Sequence, residues 1–258
     1  MRTRQTKLFQ SDGLTTLLSH YAPGVVMPKH THDLHQVSWL LVGHLSEDHG
    51  ADEKQVDQPS IGVKPVGLEH ANDYGRHGAL ILSINIDPDA RRYQDAFSFN
   101  EWRWTPCAGD GLQTGTTEGL TRLIAARGDE AESAIWDLLA LSASGERWTL
   151  REVPHWLKQV RDQLSECTAE LDLAAMANEA GVHRVHLSRA FTRSFGVPPS
   201  VYRARCRIAR SITAALHGEP LAMAAQSGGF ADQAHFSRQT KRATGLPPRR
   251  LIDLLAGE

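Results

Sequence analysis

The chain has 258 residues, 41% hydrophobic and 22% charged, with a formal net charge of −2. That balance belongs to a globular protein with room for two ordinary domains, and it excludes a mainly disordered chain. No window approaches the ~18 consecutive apolar residues of a membrane span and no apolar run follows the basic start MRTRQTKLFQSDG, so a cytoplasmic protein is expected. Cys107, Cys167 and Cys206 are far apart and form no Cys-x-x-Cys pair, so neither a disulfide framework nor a thiolate zinc site is implied.

Charge is divided unevenly. Residues 1–150 hold 13 Lys/Arg against 20 Asp/Glu, whereas residues 151–258 hold 15 against 10. A basic part joined to an acidic one suggests a polyanion-binding module beside something that does not bind polyanions.

From residue 8 to about 108, short apolar runs such as VSWLLVG and ALILSINI alternate with Gly, Pro and Asp, the pattern of many short strands in a sandwich or barrel. Within this region PKHTHDLHQ (Pro28–Gln36) holds three of the chain's 13 histidines. Read as one strand over Lys29–Val42, the segment places His30, His32, Leu34 and Gln36 on one face and His35, Val37 and Trp39 on the other. Three readings stay open for the paired histidines: ligands of a metal, hydrogen-bonding partners of a polar organic molecule, or polar strand positions with no ligand. His35 belongs to neither kind of site.

Residues 111–145 show Leu120, Leu123 and Ile124, then Ile135, Leu138 and Leu139, at helical spacing, broken at Gly128. Asp129 with Glu132 resembles a capping box that restarts the helix. Such a hairpin suits a dimer interface or a lid on the barrel's apolar face. Residues 146–154, within SGERWTLREVP, are the expected linker.

The last hundred residues contain an internal repeat. LAAMANEAGVHRVHLSRAFTRSFGVPP (Leu173–Pro199) matches LAMAAQSGGFADQAHFSRQTKRATGLPP (Leu221–Pro248) at an offset of 48 up to the first glycine and 49 from the Ser-Arg pair onward. One inserted residue in the middle turn accounts for the change. Each copy reads as a short helix ending at Gly181 or Gly229 and a second helix ending at Gly196 or Gly245, with Pro-Pro preventing continuation. This is helix-turn-helix geometry, twice. Leu187, Phe191 and Phe195 form the inward stripe of the first copy's second helix, leaving Val185, Ser188, Arg189, Thr192 and Arg193 outward. Gln233, Ala234, Ser237, Arg238 and Lys241 hold the comparable positions in the second copy. Arginine forks onto guanine and glutamine onto adenine in the major groove. Between the copies, PSVYRARCRIARSITAAL has Val201, Ile208, Ile212 and Leu216 on an apolar stripe, with Arg203, Arg205, Arg207 and Arg210 expected largely off it.

GVHRVHLSRAFTRSFGVPPSVYRARCRIARS and GGFADQAHFSRQTKRATGLPP together resemble the DNA-binding domain of the AraC/XylS family of bacterial transcription regulators. Thr240 and Thr244 stand where the family signature has aromatics, Ala224 where it has a β-branched residue, and Pro247-Pro248 where it has Thr-Pro, so the second unit has lost packing volume. Gly24, His30-x-His32, Gln36 and Gly43 resemble the first cupin motif at full spacing, with Gln36 in place of a metal-binding glutamate. Pro65-x-Gly67-x-x-His70 resembles part of the second motif, without its leading glycine and with Asn72 displaced.

The resemblances imply an α+β chain of two domains: a cupin-like, effector-sensing barrel over residues 1–110 with the helical hairpin at 111–145, then an all-α double helix-turn-helix domain over 155–258. They imply an effector pocket near His30, His32, Gln36 and His70, the same four residues being the candidate ligands of a Zn, Ni or Fe ion. The implied partners are double-stranded promoter DNA, a small-molecule or metal effector, a second copy of the chain in a homodimer, and RNA polymerase in the case of an activator. A metal-dependent cupin enzyme and a constitutive DNA-binding protein with a structural barrel are the competing readings. The neutral Gln36 and the attached DNA-binding domain weigh against an enzyme.

Overall fold

The computed structural model describes residues 3–50, 52–94, 97, 99–107, 110–143, 153–166 and 172–257. Its first part consists of strands β1 (Arg4–Ser11), β2 (Leu14–Tyr21), β3 (Val26–His30), β4 (His35–Gly43), β5 (Leu45–His49), β6 (Asp52–Val56), β7 (Ser60–Lys64), β8 (His70–Asp73), β9 (Ala79–Ile86) and β10 (Arg103–Pro106), with the short helix α1 (Arg91–Gln94) before β10. The strands form two antiparallel sheets, ordered β1-β2-β9-β4-β7-β10 and β3-β8-β5-β6. Leu40, Ala79 and Ile81 of the larger sheet pack against Leu45 and Val56 of the smaller, which is the expected cupin-like arrangement.

Lys29–Val42 is two strands rather than the single one expected. β3 belongs to the small sheet and β4 to the large one, so residues 31–34 leave the ladder to cross between them. Alternation holds inside β4: Leu40 faces the barrel interior, while Val37 and Trp39 join the core on the sheet's outer side. That outer side is covered by helices, which explains why all eight residues of β9 are buried although the sheet is antiparallel.

The hairpin consists of α2 (Asp110–Ala125) and α3 (Gly128–Ala143), separated at Gly128, whose φ of +54° suits the glycine found there. Leu120, Leu123, Ile135, Leu138 and Leu139 are at most 1% exposed and share one core with β2, β4 and β9. The apolar stripe of the hairpin thus lies against the barrel, as a lid does. α3 starts at Gly128, so Asp129 lies inside the helix, and Glu132 pairs with Arg92 at 2.8 Å. The expected linker, 146–154, lies outside the described residues except for Val153 and Pro154.

Seven helices follow among the described residues: α4 (His155–Glu166), α5 (Leu173–Glu179), α6 (Arg184–Phe195), α7 (Pro199–Leu216), α8 (Leu221–Ser227), α9 (Gln233–Thr244) and α10 (Pro248–Ala256). The paired helices have equal lengths, 7 residues for α5 and α8 and 12 for α6 and α9, so the inserted residue falls in the turn. Asp172 caps α5 by accepting from the Ala174 and Ala175 amides at 2.9 Å, and Asp232 caps α9 by accepting from the His235 amide at 2.6 Å. Gly196 (φ +69°) and Gly245 (φ +80°) end the two second helices in the left-handed conformation.

The first unit has its own core, in which α4 contributes Leu157, Val160 and Leu164 against Leu187, Phe191, Phe195 and Tyr202. The second does not: Phe236, Leu246, Leu251 and Leu255 belong to the core of the barrel and hairpin. Thr240, Thr244 and Ala224 are fully buried there, in the positions that had lost volume. α7 lies among barrel, first unit and second unit, so Arg203 (8% exposed) and Arg205 (6%), expected off the apolar stripe, are nevertheless buried. An apolar stripe identifies one buried face of a helix and does not count the bodies packed around it.

Candidate functional sites

The histidines of the opening motif do converge. His30 and His70 are paired across β3 and β8, and Gly67 donates its amide to the His32 carbonyl at 2.9 Å, tying the Pro65–His70 turn to the other two. Ring centroids lie 4.4 Å apart for His30–His70, 4.9 Å for His30–His32 and 5.1 Å for His32–His70. One nitrogen from each falls within 4.8 Å of the others. His30 Nδ1 is 2.8 Å from the Pro28 carbonyl and His70 Nδ1 3.1 Å from the Leu68 carbonyl. A carbonyl only accepts, so both Nδ1 atoms carry the proton and both Nε2 atoms present lone pairs. His70 Nε2 is buried without a hydrogen-bond partner among the described residues. Burial, then the charges of His70 and Lys64, push His32 down to about 4, and burial also lowers His70, so both are neutral at pH 7.

Gln36 does not complete this set. Its Oε1, the amide atom suited to a metal, accepts from Lys64 Nζ and Ser38 Oγ, each at 3.1 Å, and its Nε2 donates to Asn85 Oδ1 at 2.8 Å. His35 is separate, stacked on Phe99 at 4.6 Å and accepting from the Val66 amide at 3.1 Å.

Beside the histidines lies a charged pair that sequence reasoning missed. Lys64 Nζ is 2.9 Å from Glu47 Oε2, with Glu47 fully buried and Lys64 6% exposed. Glu47 also accepts from Trp102 Nε1 at 2.5 Å, Trp104 Nε1 at 3.0 Å and Asn72 Nδ2 at 2.9 Å. Burial raises its carboxyl, but the Lys64 charge and these donors outweigh that and hold it below its ordinary value. Asn72, displaced from the motif, holds Glu47. A usable signal was Trp102-x-Trp104: two indoles at period two share a strand face, and a buried indole N–H needs an acceptor.

On α6, Val185, Arg189 and Arg193 are exposed and Ser188 and Thr192 partly so; on α9, Gln233, Ala234, Arg238 and Lys241 are exposed and Ser237 partly so. Among the described residues, Arg189, Arg193, Arg238 and Lys241 make no ion pair. The outward faces inferred from the repeat are the outward faces of the fold, and both are polar or basic.

Comparison with known proteins bears on the C-terminal part most directly, where residues 176–253 match a family model described as a helix-turn-helix domain. Among solved structures, the crystal structure of ToxT from Vibrio cholerae O395 aligns with 96% of this chain and 100% of its own, at 14% identity and a TM-score of 0.40. A cupin superfamily protein from Desulfitobacterium hafniense DCB-2 covers 33% of this chain and 78% of its own, at 16% identity and a TM-score of 0.31. KdgF from Halomonas sp. covers 34% and 83%, at 13% identity and a TM-score of 0.30. No curated protein sequence matches the chain. The repeat, the two exposed second helices and the matching model agree that the C-terminal part of this chain is a helix-turn-helix domain of the AraC type.

Proposed function

We propose that the protein regulates transcription, binding promoter DNA through α6 and α9 and an effector through the barrel. The observation that carries this reading is the pair of helix-turn-helix units with exposed basic and polar faces free of ion pairs among the described residues. Arg189 and Arg193 on α6, and Gln233, Arg238 and Lys241 on α9, supply base-edge and phosphate contacts; Val185, Ser188 and Thr192, with Ala234 and Ser237, line the same faces. Helix α7, 18 residues and about 27 Å long, separates the units. Adjacent major-groove entries lie about 34 Å apart, so a duplex engaged by both units tilts or bends toward the protein.

For the effector, the barrel favours a divalent Zn, Ni or Fe ion at His30, His32 and His70. Two imidazoles are fixed by backbone carbonyls with Nε2 free, as metal-ligating histidines are, and the His70 Nε2 lacks any other partner among the described residues. Gln36 is left out of the ligand set. Glu47 is occupied by four donors and is not a free base, which weighs against a cupin enzyme acting through this carboxylate.

The test pairs metal analysis of protein purified without chelators or a histidine tag with footprinting on promoter DNA. Stoichiometric metal that disappears in a His30→Ala/His32→Ala variant, together with a footprint that changes on metal removal, supports the reading. A metal-free parent whose footprint responds instead to polar organic molecules transfers the three histidines to an organic effector. A footprint indifferent to both makes the protein a constitutive binder.

A further inference from the structure

The internal repeat sets up a residue-by-residue correspondence between the two second helices. α6 and α9 both have 12 residues and start 49 residues apart, at Arg184 and Gln233. The second position is therefore Val185 in one and Ala234 in the other, the fifth is Ser188 and Ser237, and the sixth is Arg189 and Arg238. Serine and arginine are identical in the two copies, and the second position is apolar in both. Second and sixth positions are four residues apart and share a helix face. The fold leaves Val185, Ala234, Arg189 and Arg238 all exposed.

Val185 is 43% exposed, and the other exposed large apolar side chains among the described residues, Val26, Val66 and Met223, lie off both helices. A single exposed apolar side chain needs no explanation by itself. Val185 differs because its counterpart in the repeat is apolar too, while the positions that share its outward face are polar or basic. Neither a valine nor an alanine side chain can donate a hydrogen bond to a phosphate or a base edge, so this position contributes apolar contact alone. In the major groove the apolar group on a base edge is the C5 methyl of thymine, and the first residues of a recognition helix are those that meet base edges.

Resting on the reading that α6 and α9 enter the major groove, we infer that both units read the same pair of bases. One is a thymine, through its methyl group on Val185 or Ala234; the other is a guanine, through O6 and N7 on Arg189 or Arg238. Four residues of helix rise about 6 Å and neighbouring phosphates of one strand lie about 3.4 Å apart along the duplex, so thymine and guanine fall within about two base pairs of each other. Valine covers the methyl more fully than alanine does, so thymine is read more strictly in the element bound by α6.

Duplexes selected by the full-length protein from a random library test this when resynthesised with uracil in place of single thymines, or 7-deazaguanine in place of single guanines. Uracil lacks only the methyl group, and 7-deazaguanine only the N7 acceptor. In the α6 element one uracil should weaken the parent about fourfold, the worth of one buried methyl. One 7-deazaguanine in either element should weaken it about fivefold or more. Val185→Ser, which changes an exposed side chain and should melt as the parent does, should bind the uracil and thymine forms of the α6 element alike. Arg189→Ala should become indifferent to 7-deazaguanine in that same element, and Arg238→Ala in the other. Recovery of random sequence overturns the DNA reading and this inference together. A selected consensus whose thymines all tolerate uracil overturns this inference alone, as does a Val185→Ser variant as sensitive to uracil as the parent, or Val185→Ser and Arg189→Ala acting on different elements.

Discussion

Replacing Glu47 with leucine should destabilise the barrel more than any other single change in its interior. The carboxylate is fully buried and accepts from Lys64, Trp102, Trp104 and Asn72. Its removal leaves the Lys64 ammonium, 6% exposed, with no carboxylate partner among the described residues, only the Gln36 carbonyl and the face of the Trp104 ring. Breaking a buried pair by deleting one partner costs roughly 3–5 kcal/mol, against about 1–3 kcal/mol for each neutral donor left unpaired and dry. Stranding the lysine therefore costs more than stranding any one of the neutral donors, and the expected loss is at least about 3 kcal/mol, or on the order of 10 °C in melting temperature for a chain of this size. Lys64→Met should cost less, because Glu47 keeps three neutral donors. The double variant should be more stable than Glu47→Leu alone, since no charge is then stranded. Urea unfolding followed by tryptophan fluorescence reads all three, as two of the indoles donate to Glu47. A Glu47→Leu variant within about 1 kcal/mol of the parent, or a double variant whose loss equals the sum of the singles, would refute the reasoning.

Three further outcomes follow from particular side chains. His20, 4% exposed and 3.0 Å from Thr213 on α7, is lowered to about 4 by burial and then by the charges of His217 and Arg4. The unfolded chain therefore binds a proton that the folded one does not, and stability should fall as pH falls from about 6.5 through 4, by on the order of 3 kcal/mol from this residue; His20→Gln should flatten the slope of unfolding free energy against pH in that window. Thr240 buries a hydroxyl with no partner among the described residues, so Thr240→Val should stabilise by about 1 kcal/mol, read as a higher urea midpoint. Arg189→Ala should cost about 1–3 kcal/mol on a specific site and little on random DNA, measured by competition binding at fixed salt.

The features most legible in the sequence were those with an internal check. The offset between the repeat copies changes from 48 to 49, and the extra residue lies in the α8–α9 turn, while both second helices have 12 residues. His30, His32 and His70 were legible from motif spacing even though the strand drawn through the first two was wrong, because the chain crosses between sheets within that segment. Gln36 could not be excluded beforehand: what occupies its carbonyl, Lys64, comes from another strand. Lys64 ends a wholly buried strand, and a lone lysine at a strand end reads as solvated unless its cross-barrel partner is known. The hairpin's stripe predicted burial without choosing between a second copy and the barrel, and it packs on the barrel's outer face. The burial of Arg203 and Arg205 on α7 was illegible for the same reason, since only the assembled halves enclose that helix.

The central claim is that α6 and α9 read DNA together. Selection of bound duplexes from a random-sequence library by the full-length protein, repeated at several salt concentrations, tests it most directly. The expected product is a consensus with two elements about 10 base pairs apart, one lost in an Arg189→Ala variant and the other in Arg238→Ala, with affinity falling steeply as salt rises. Recovery of random sequence, or a consensus that both variants still select unchanged, would contradict it.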